Sequence, residues 1–205
     1  MLDIEGFILA GGASSRMGAD KAQLRLGGQT LVETVAGALS EITLTVRVVS
    51  SRHGGELCGL TVVPDFYDDC GALGGLQSAL THAEAAWVAV VSCDLPFVTG
   101  GLLSRLTTFV KEGVEAVVPV QEDGRVQPLC ALYERRQCLE IVERLLREGE
   151  RRPRVLVAQA RTRLADFALL ADLPASHLFF LNLNSPDDYA QAVAALDTSA
   201  CPARK

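Results

Sequence analysis

The segment Leu9-Ala10-Gly11-Gly12-Ala13-Ser14-Ser15-Arg16-Met17-Gly18-Ala19-Asp20-Lys21 joins adjacent glycines, small residues and two cations, directly after an apolar run. Glycines let successive backbone N–H groups turn toward one anion and form a nest. Arg16 and Lys21 add the positive charge that a triphosphate requires. Two familiar templates do not apply. A Walker A loop ends in Gly-Lys-Ser/Thr, and the chain has no Gly-Lys pair; GxGxxG fails because Gly11 and Gly12 are adjacent. A plain turn with two solvated cations is the rival reading. The position straight after the first strand favours phosphate.

Several other segments could act with this loop. Asp94, in Ser92-Cys93-Asp94-Leu95-Pro96, closes an apolar strand. A carboxylate there suits Mg²⁺, which is usually held by one or two carboxylates plus substrate phosphates; a capping or turn acid is the alternative. Asp65 follows Val62-Val63-Pro64 and can accept from a base or ribose donor, whereas Asp68 and Asp69 read as a solvated loop. Gly71-Ala72-Leu73-Gly74-Gly75 lets a flat ring approach the backbone, or serves only as a tight start to a helix. Asn182 and Asn184 alternate onto one face of an extended segment, where amides satisfy a turn or complete a metal or substrate site. From Arg135 to Arg163 there are nine arginines and four glutamates. Some form helix-face pairs, while Arg151-Arg152-Pro153-Arg154 falls outside the helical period and could line a site for an anionic second substrate. His53, His82 and His177 stand alone, and Ser14 and Ser15 lie in no GxSxG elbow.

Elements that would position these residues alternate along the chain. Gly6 to Leu9, Val46 to Val49, Leu60 to Val63, Trp87 to Val91 and Ala116 to Val120 read as strands, with Pro128 to Tyr133 continuing the last after a Glu122-Asp123-Gly124 turn. Helices follow Thr30 with its capping partner Glu33, the glycine-rich bend 71–75, and Thr99; another spans Gln137 to Glu148, and the last starts at Ser185-Pro186-Asp187-Asp188. This alternation predicts a mostly parallel sheet with helices on both faces, which binds ligands beyond the carboxyl ends of its strands. The 205 residues, 49% hydrophobic, suit one domain over 1–198 with a tail at 199–205. A nucleotide half would occupy about 1–100 and an acceptor half about 101–198.

Composition excludes some classes. Nineteen basic against 25 acidic residues give a net charge of -6, which argues against a general nucleic-acid binder. No uncharged apolar run approaches the roughly 20 residues of a membrane span. Asp3 and Glu5 sit where a signal peptide would be basic. The six cysteines form no CxxC and read mostly as buried thiols, which fits a cytoplasmic protein.

The opening segment resembles the signature of nucleotidyltransferases that handle molybdenum cofactor, and is most similar to the molybdenum cofactor guanylyltransferase family. The likeness includes Pro64-Asp65, Gly71 to Gly75, Cys93 to Pro96, Gln127-Pro128 and Phe180 to Pro186. Guanylyl members usually read LAGG, as here, and cytidylyl relatives LAAG. The resemblance implies a Rossmann-like nucleotidyltransferase fold and transfer of GMP from GTP to the terminal phosphate of Mo-molybdopterin, with release of pyrophosphate. It also implies residue roles. Leu9, Ala10, Gly11 and Gly12 would present backbone to GTP, with Gly74 in the second glycine bend. Lys21 would hold the phosphates, assisted by Arg16. Asp65 would contact the nucleoside, Asp94 would bind Mg²⁺, and Arg152, Asn182 and Asn184 would hold the acceptor. Ser51 stands where the family often has asparagine, and a hydroxyl reaches less far than an amide. Molybdoenzyme maturation partners are also admitted. Rival readings are a cytidylyltransferase acting on molybdopterin or on a sugar or polyol phosphate, and a nucleotide-binding protein without turnover. A plain NAD-binding domain is disfavoured by the missing GxGxxG.

Overall fold

Strands that are buried at nearly every position are covered on both faces. The pattern is plainest in β1 (Ile4–Leu9) and β7 (Trp87–Ser92), which pair in parallel. In β1, Ile4 and Ile8 enter one core while Phe7 and Leu9 enter another; in β7, Ala89 and Val91 take the first side and Val88 and Val90 the second. The computed structural model describes residues 2–11, 21–51, 54–67 and 70–199, with backbone only for Lys21 and residues 197–199.

The remaining elements follow in chain order. They are β2 (Arg25–Leu26), β3 (Gln29–Thr30), α1 (Leu31–Ser40), β4 (Val46–Ser50), β5 (Glu56–Leu57), β6 (Leu60–Pro64), α2 (Gly71–His82) and, after β7, α3 (Gly100–Thr107). Then come β8 (Ala116–Pro119), β9 (Cys130–Glu134), α4 (Arg135–Arg147), α5 (Pro153–Gln159), β10 (Thr162–Ala165) and α6 (Pro186–Ser199). Eight strands form one sheet in the order β10-β8-β9-β7-β1-β4-β6-β5, and β2 with β3 forms a separate hairpin. The pairs β7–β1, β1–β4, β4–β6 and β8–β10 are parallel. The α1 and α3 residues Val35, Leu39, Leu102 and Leu106 cover one face; Leu76 and Leu80 of α2, Val142 and Leu145 of α4, and Leu156 of α5 cover the other. The predicted layering therefore holds.

Particular expectations change. The segment 71–75 is already the first turn of α2 rather than a bend before it. Glycine is needed at Gly71, whose φ of +58 is left-handed. The segment Pro128 to Tyr133 is a strand only from Cys130. It does more than close a hairpin, because β9 lies antiparallel between β7 and β8. Two elements carried weak signals. α5 follows Arg152 with Pro153 in its first turn, a start signal that a short helix of seven residues dilutes. β10 is a four-residue edge strand with mixed exposure.

A third, smaller core unites distant parts of the chain. Leu26 and Leu31 pack with Leu183 and Ala192, and the Tyr189 hydroxyl donates to the Arg25 carbonyl at 2.7 Å. The last helix thus supports the hairpin that follows the glycine loop. α6 starts as predicted: the Asp188 N–H donates to Ser185 Oγ, and Asp188 Oδ2 accepts from the Ser185 N–H.

Thr30 joins that hairpin to α1. Its Oγ1 accepts from the Glu33 N–H at 3.1 Å, and its own N–H donates to Glu33 Oε2 at 2.7 Å. Thr30→Ala should cost about 1 kcal/mol, read as a lower denaturation midpoint with an unchanged slope; an unmoved midpoint would contradict the role of this cap.

Candidate functional site

Register places the site. Leu9 pairs with Ser92 and with Val49, and Val49 with Val63, so four parallel strands end in one row. The ladder runs one residue further, since the Ala10 N–H donates to the Val49 carbonyl at 3.0 Å and the Cys93 N–H to the Leu9 carbonyl at 3.1 Å. The residues after each strand are therefore neighbours: Gly11, Ser51, Asp65 and Asp94. All four line a cavity of about 250 Å³, with Leu9, Val49 and Ser92 as strand ends and Gly71, Ala72 and Gly75 from the start of α2. The cap residue of α2, Cys70, supplies no side-chain acceptor. First-turn N–H groups at such an end favour an anion.

A second cavity of about 630 Å³ shares Ala72, Asp94 and Leu129 with the first. Its wall includes Arg125, Gln127, Arg151, Arg152, Arg154 and Asn182. The volume suits a small organic ligand. Asn182 reaches this wall because the next residue is tied down, the Leu183 N–H donating to the Asp94 carbonyl at 3.0 Å. Asp94 therefore stands where the two cavities meet.

The arginines are not equivalent. Glu150 holds Arg152 through Nε at 2.8 Å and Nη2 at 2.6 Å, and also accepts from the N–H groups of Arg151 and Arg152. Arg125 is paired with Asp123 at 2.7 Å. Arg151 donates to backbone carbonyls, to that of Glu150 at 2.9 Å. Neither Arg151 nor Arg154 has an ion-pair partner among the described residues, and the Arg154 side chain makes no hydrogen bond there either, so its guanidinium is left for a ligand.

The expected site residues divide accordingly. Leu9, Gly11, Ser51, Asp65 and Asp94 come together, and Asn182 and Arg152 join Asp94 in the larger cavity. Ala10 is buried beneath, with its N–H spent on the sheet. Gly74 is not on the smaller cavity's wall. A Cβ there would lie 2.7 Å from the Tyr67 carbonyl oxygen, so this glycine lets α2 pack against the loop, and Gly75 takes the wall position. Asn184 does not line the larger cavity beside Asn182. The chain turns into α6 at that point, the Asn184 N–H donating to Asp188 Oδ2 at 2.9 Å, and the expected alternation ends. Gly12 and Arg16 lie outside the described residues, as does the side chain of Lys21. Sequence reasoning also missed Leu129 and Arg125, for which a turn carried no chemical signal.

Mg²⁺ fits this donor set. Among the described residues no group of three or more His, Cys, Asp or Glu could hold a metal ion. A single carboxylate shared by two cavities instead matches an ion that takes most of its ligands from phosphates and water. Of the five described cysteines, Cys93, Cys130 and Cys138 are buried; burial pushes the Cys130 thiol up to about 12, so it reads as an inert core residue.

Residues 6–164 match the MobA-like NTP transferase domain, and the chain belongs to that family. A protein of Vibrio cholerae named molybdenum cofactor guanylyltransferase is 35% identical over 193 residues, covering 92% of this chain and 91% of its own. One of Pelotomaculum thermopropionicum, named probable molybdenum cofactor guanylyltransferase, is 34% identical over 193 residues, covering 94% of this chain and 93% of its own. Among solved structures, molybdopterin-guanine dinucleotide biosynthesis protein A of Archaeoglobus fulgidus has the same fold, with a TM-score of 0.79 at 23% identity over 95% of this chain and 99% of that one. No helix among the described residues is long and apolar enough to cross a membrane.

The Glu150–Arg152 pair gives a titration test. The Arg152 guanidinium, then the Arg151 N–H, bring the Glu150 carboxyl down from 4.5 to about 2. The pair is therefore complete above the ordinary value and lost as pH falls toward about 2. In Arg152→Ala, NMR titration should find Glu150 returned most of the way to the ordinary range. A Glu150 that still titrates near the wild-type value would refute this account of the pair.

Proposed function

We propose that this chain transfers GMP from GTP to the terminal phosphate of Mo-molybdopterin, forming Mo-molybdopterin guanine dinucleotide and pyrophosphate. The observation that carries the reading is Asp94 at the junction of a glycine-backed cavity and an arginine-rimmed one. The names of the Vibrio and Pelotomaculum relatives supply the substrates. GTP would take the smaller cavity, with its nucleoside at Asp65. The anionic acceptor would take the larger one, against Arg154 and Asn182.

In the reaction an acceptor phosphate oxygen bonds to the α-phosphorus of GTP while the α–β phosphoanhydride bond breaks. Both electrons of that bond leave with pyrophosphate. The nucleophile is already an anion, so no strong general base is needed. Catalysis would rest on positioning and on preorganised charge. Asp94 would hold a Mg²⁺ ion, which supplies charge neutralisation to the phosphates when bound. Lys21 and Arg16 would offset charge on the departing pyrophosphate. Free thiols at the five described cysteines suit a cytoplasmic enzyme.

Pyrophosphate release with molybdopterin should be supported by GTP and not by CTP or ATP; a preference for CTP would move the chain to the cytidylyl reading. GTP binding without pyrophosphate release would make it a nucleotide-binding protein without turnover. Lys21→Ala and Asp94→Asn should each lower turnover by about 10²–10³ with unchanged circular dichroism, and near-native turnover in either would remove its role. Arg154→Ala should raise the KM for molybdopterin while leaving that for GTP near wild type. Equal increases in both would place Arg154 elsewhere.

A further inference from the structure

Asp65 reaches the nucleotide cavity in an unusual state of occupation. Its Oδ1 accepts from the Tyr67 N–H at 3.1 Å and from the Ser78 hydroxyl at 3.0 Å. A carboxylate offers about four acceptor positions, two on each oxygen, so the protein fills Oδ1. Ser78 is fully buried on α2. Its oxygen accepts from the Phe66 N–H at 3.0 Å, which leaves its one proton directed to Asp65. The other oxygen faces bare backbone on two sides, 3.6 Å from where a Cβ would stand on Gly11 and 3.6 Å from the same point on Gly75. Both glycines line the cavity.

We infer that Ser78 is a positioning residue: it holds Asp65 so that Oδ2 alone is presented to the nucleotide, where it accepts from a ribose hydroxyl. This rests on the nucleotide site proposed above. The guanine edge presents two donors side by side, N1–H and N2–H, which a carboxylate meets with one oxygen each, in the manner of bidentate pairing. That mode is closed when Oδ1 is filled. A ribose hydroxyl needs a single acceptor. In dinucleotide-binding α/β folds an acid likewise takes the ribose 2′-hydroxyl. Base choice then falls to other parts of the wall, and Asp65 reads the sugar.

The test compares GTP with its 2′-deoxy and 3′-deoxy analogues, by calorimetric binding to the full chain and by KM and kcat for pyrophosphate release. Wild type should discriminate against at least one analogue. Ser78→Ala should raise the KM for GTP by about tenfold, the equivalent of one oriented hydrogen bond. It should leave kcat near wild type and erase the discrimination. Ser78→Thr, which keeps the hydroxyl, should restore it. A structural role alone would lower thermal stability and leave the ratio between GTP and its analogues intact; that result in Ser78→Ala overturns the proposal. Asp65→Ala leaves the buried position untouched, so it decides the sugar assignment should Ser78→Ala not fold. It too must lose the discrimination, and where Ser78→Ala folds, adding it to Asp65→Ala should have no further effect on that ratio. A wild type indifferent to both deoxy analogues overturns the sugar assignment. A wild type that takes CTP instead overturns the guanylyl reading above, and the same ratio is then measured with CTP and its deoxy analogues.

Discussion

A strand buried on both faces admits a polar side chain along its length only at a cost that a partner must offset, as where Glu5 of β1 lies 3.6 Å from Arg47 of β4. Phe7 and Ile8, Val48 and Val49, Val88 and Ala89 are consumed by the two cores. Polar groups open to a ligand therefore gather at the points where such strands stop. Because β7, β1, β4 and β6 run parallel and stop in register, those points coincide. The site follows from this constraint: Gly11, Ser51, Asp65 and Asp94 are far apart in sequence and share one edge of the sheet.

The second half of the chain adds the other cavity to that edge. β9 inserts antiparallel beside β7 and carries Leu129 to the wall just before it. Leu183 docks on the Asp94 carbonyl and brings Asn182 with it. Arg151 and Arg152 arrive on the short connection between α4 and α5, and Arg154 on the first turn of α5. The two proposed substrates would share one carboxylate, so the distance between them would be set by the sheet and not by a moving lid.

Much of this was legible because apolar runs and chain punctuation report directly on burial. Val62-Val63-Pro64-Asp65 and Trp87 to Asp94 announce both a strand and the acid at its end. What was hidden depended on partners distant in sequence. Gly74 looked like a ligand contact because a glycine that yields to a ligand and one that yields to Tyr67 are the same letter. Arg152 looked free because Glu150 reads as one more surface charge until its carboxylate is seen closed around the guanidinium. Asn184 followed an alternation that the cap of α6 interrupts. Ser78, between Gln77 and Ala79 on a helix of mostly small and apolar residues, reads as a small core residue, and its hydroxyl acquires meaning only opposite Asp65.

The third core has a consequence for how the protein is made. Tyr189 and Arg25 stand 164 residues apart. At synthesis rates of about 5–20 residues per second, the hairpin waits on the order of ten to thirty seconds for α6 to appear. Leu26 and Leu31 lack Leu183 and Ala192 for that interval. A ribosome-bound chain can therefore form the strands β1 to β7 well before this hairpin is covered, and the final helix acts as the last part fitted.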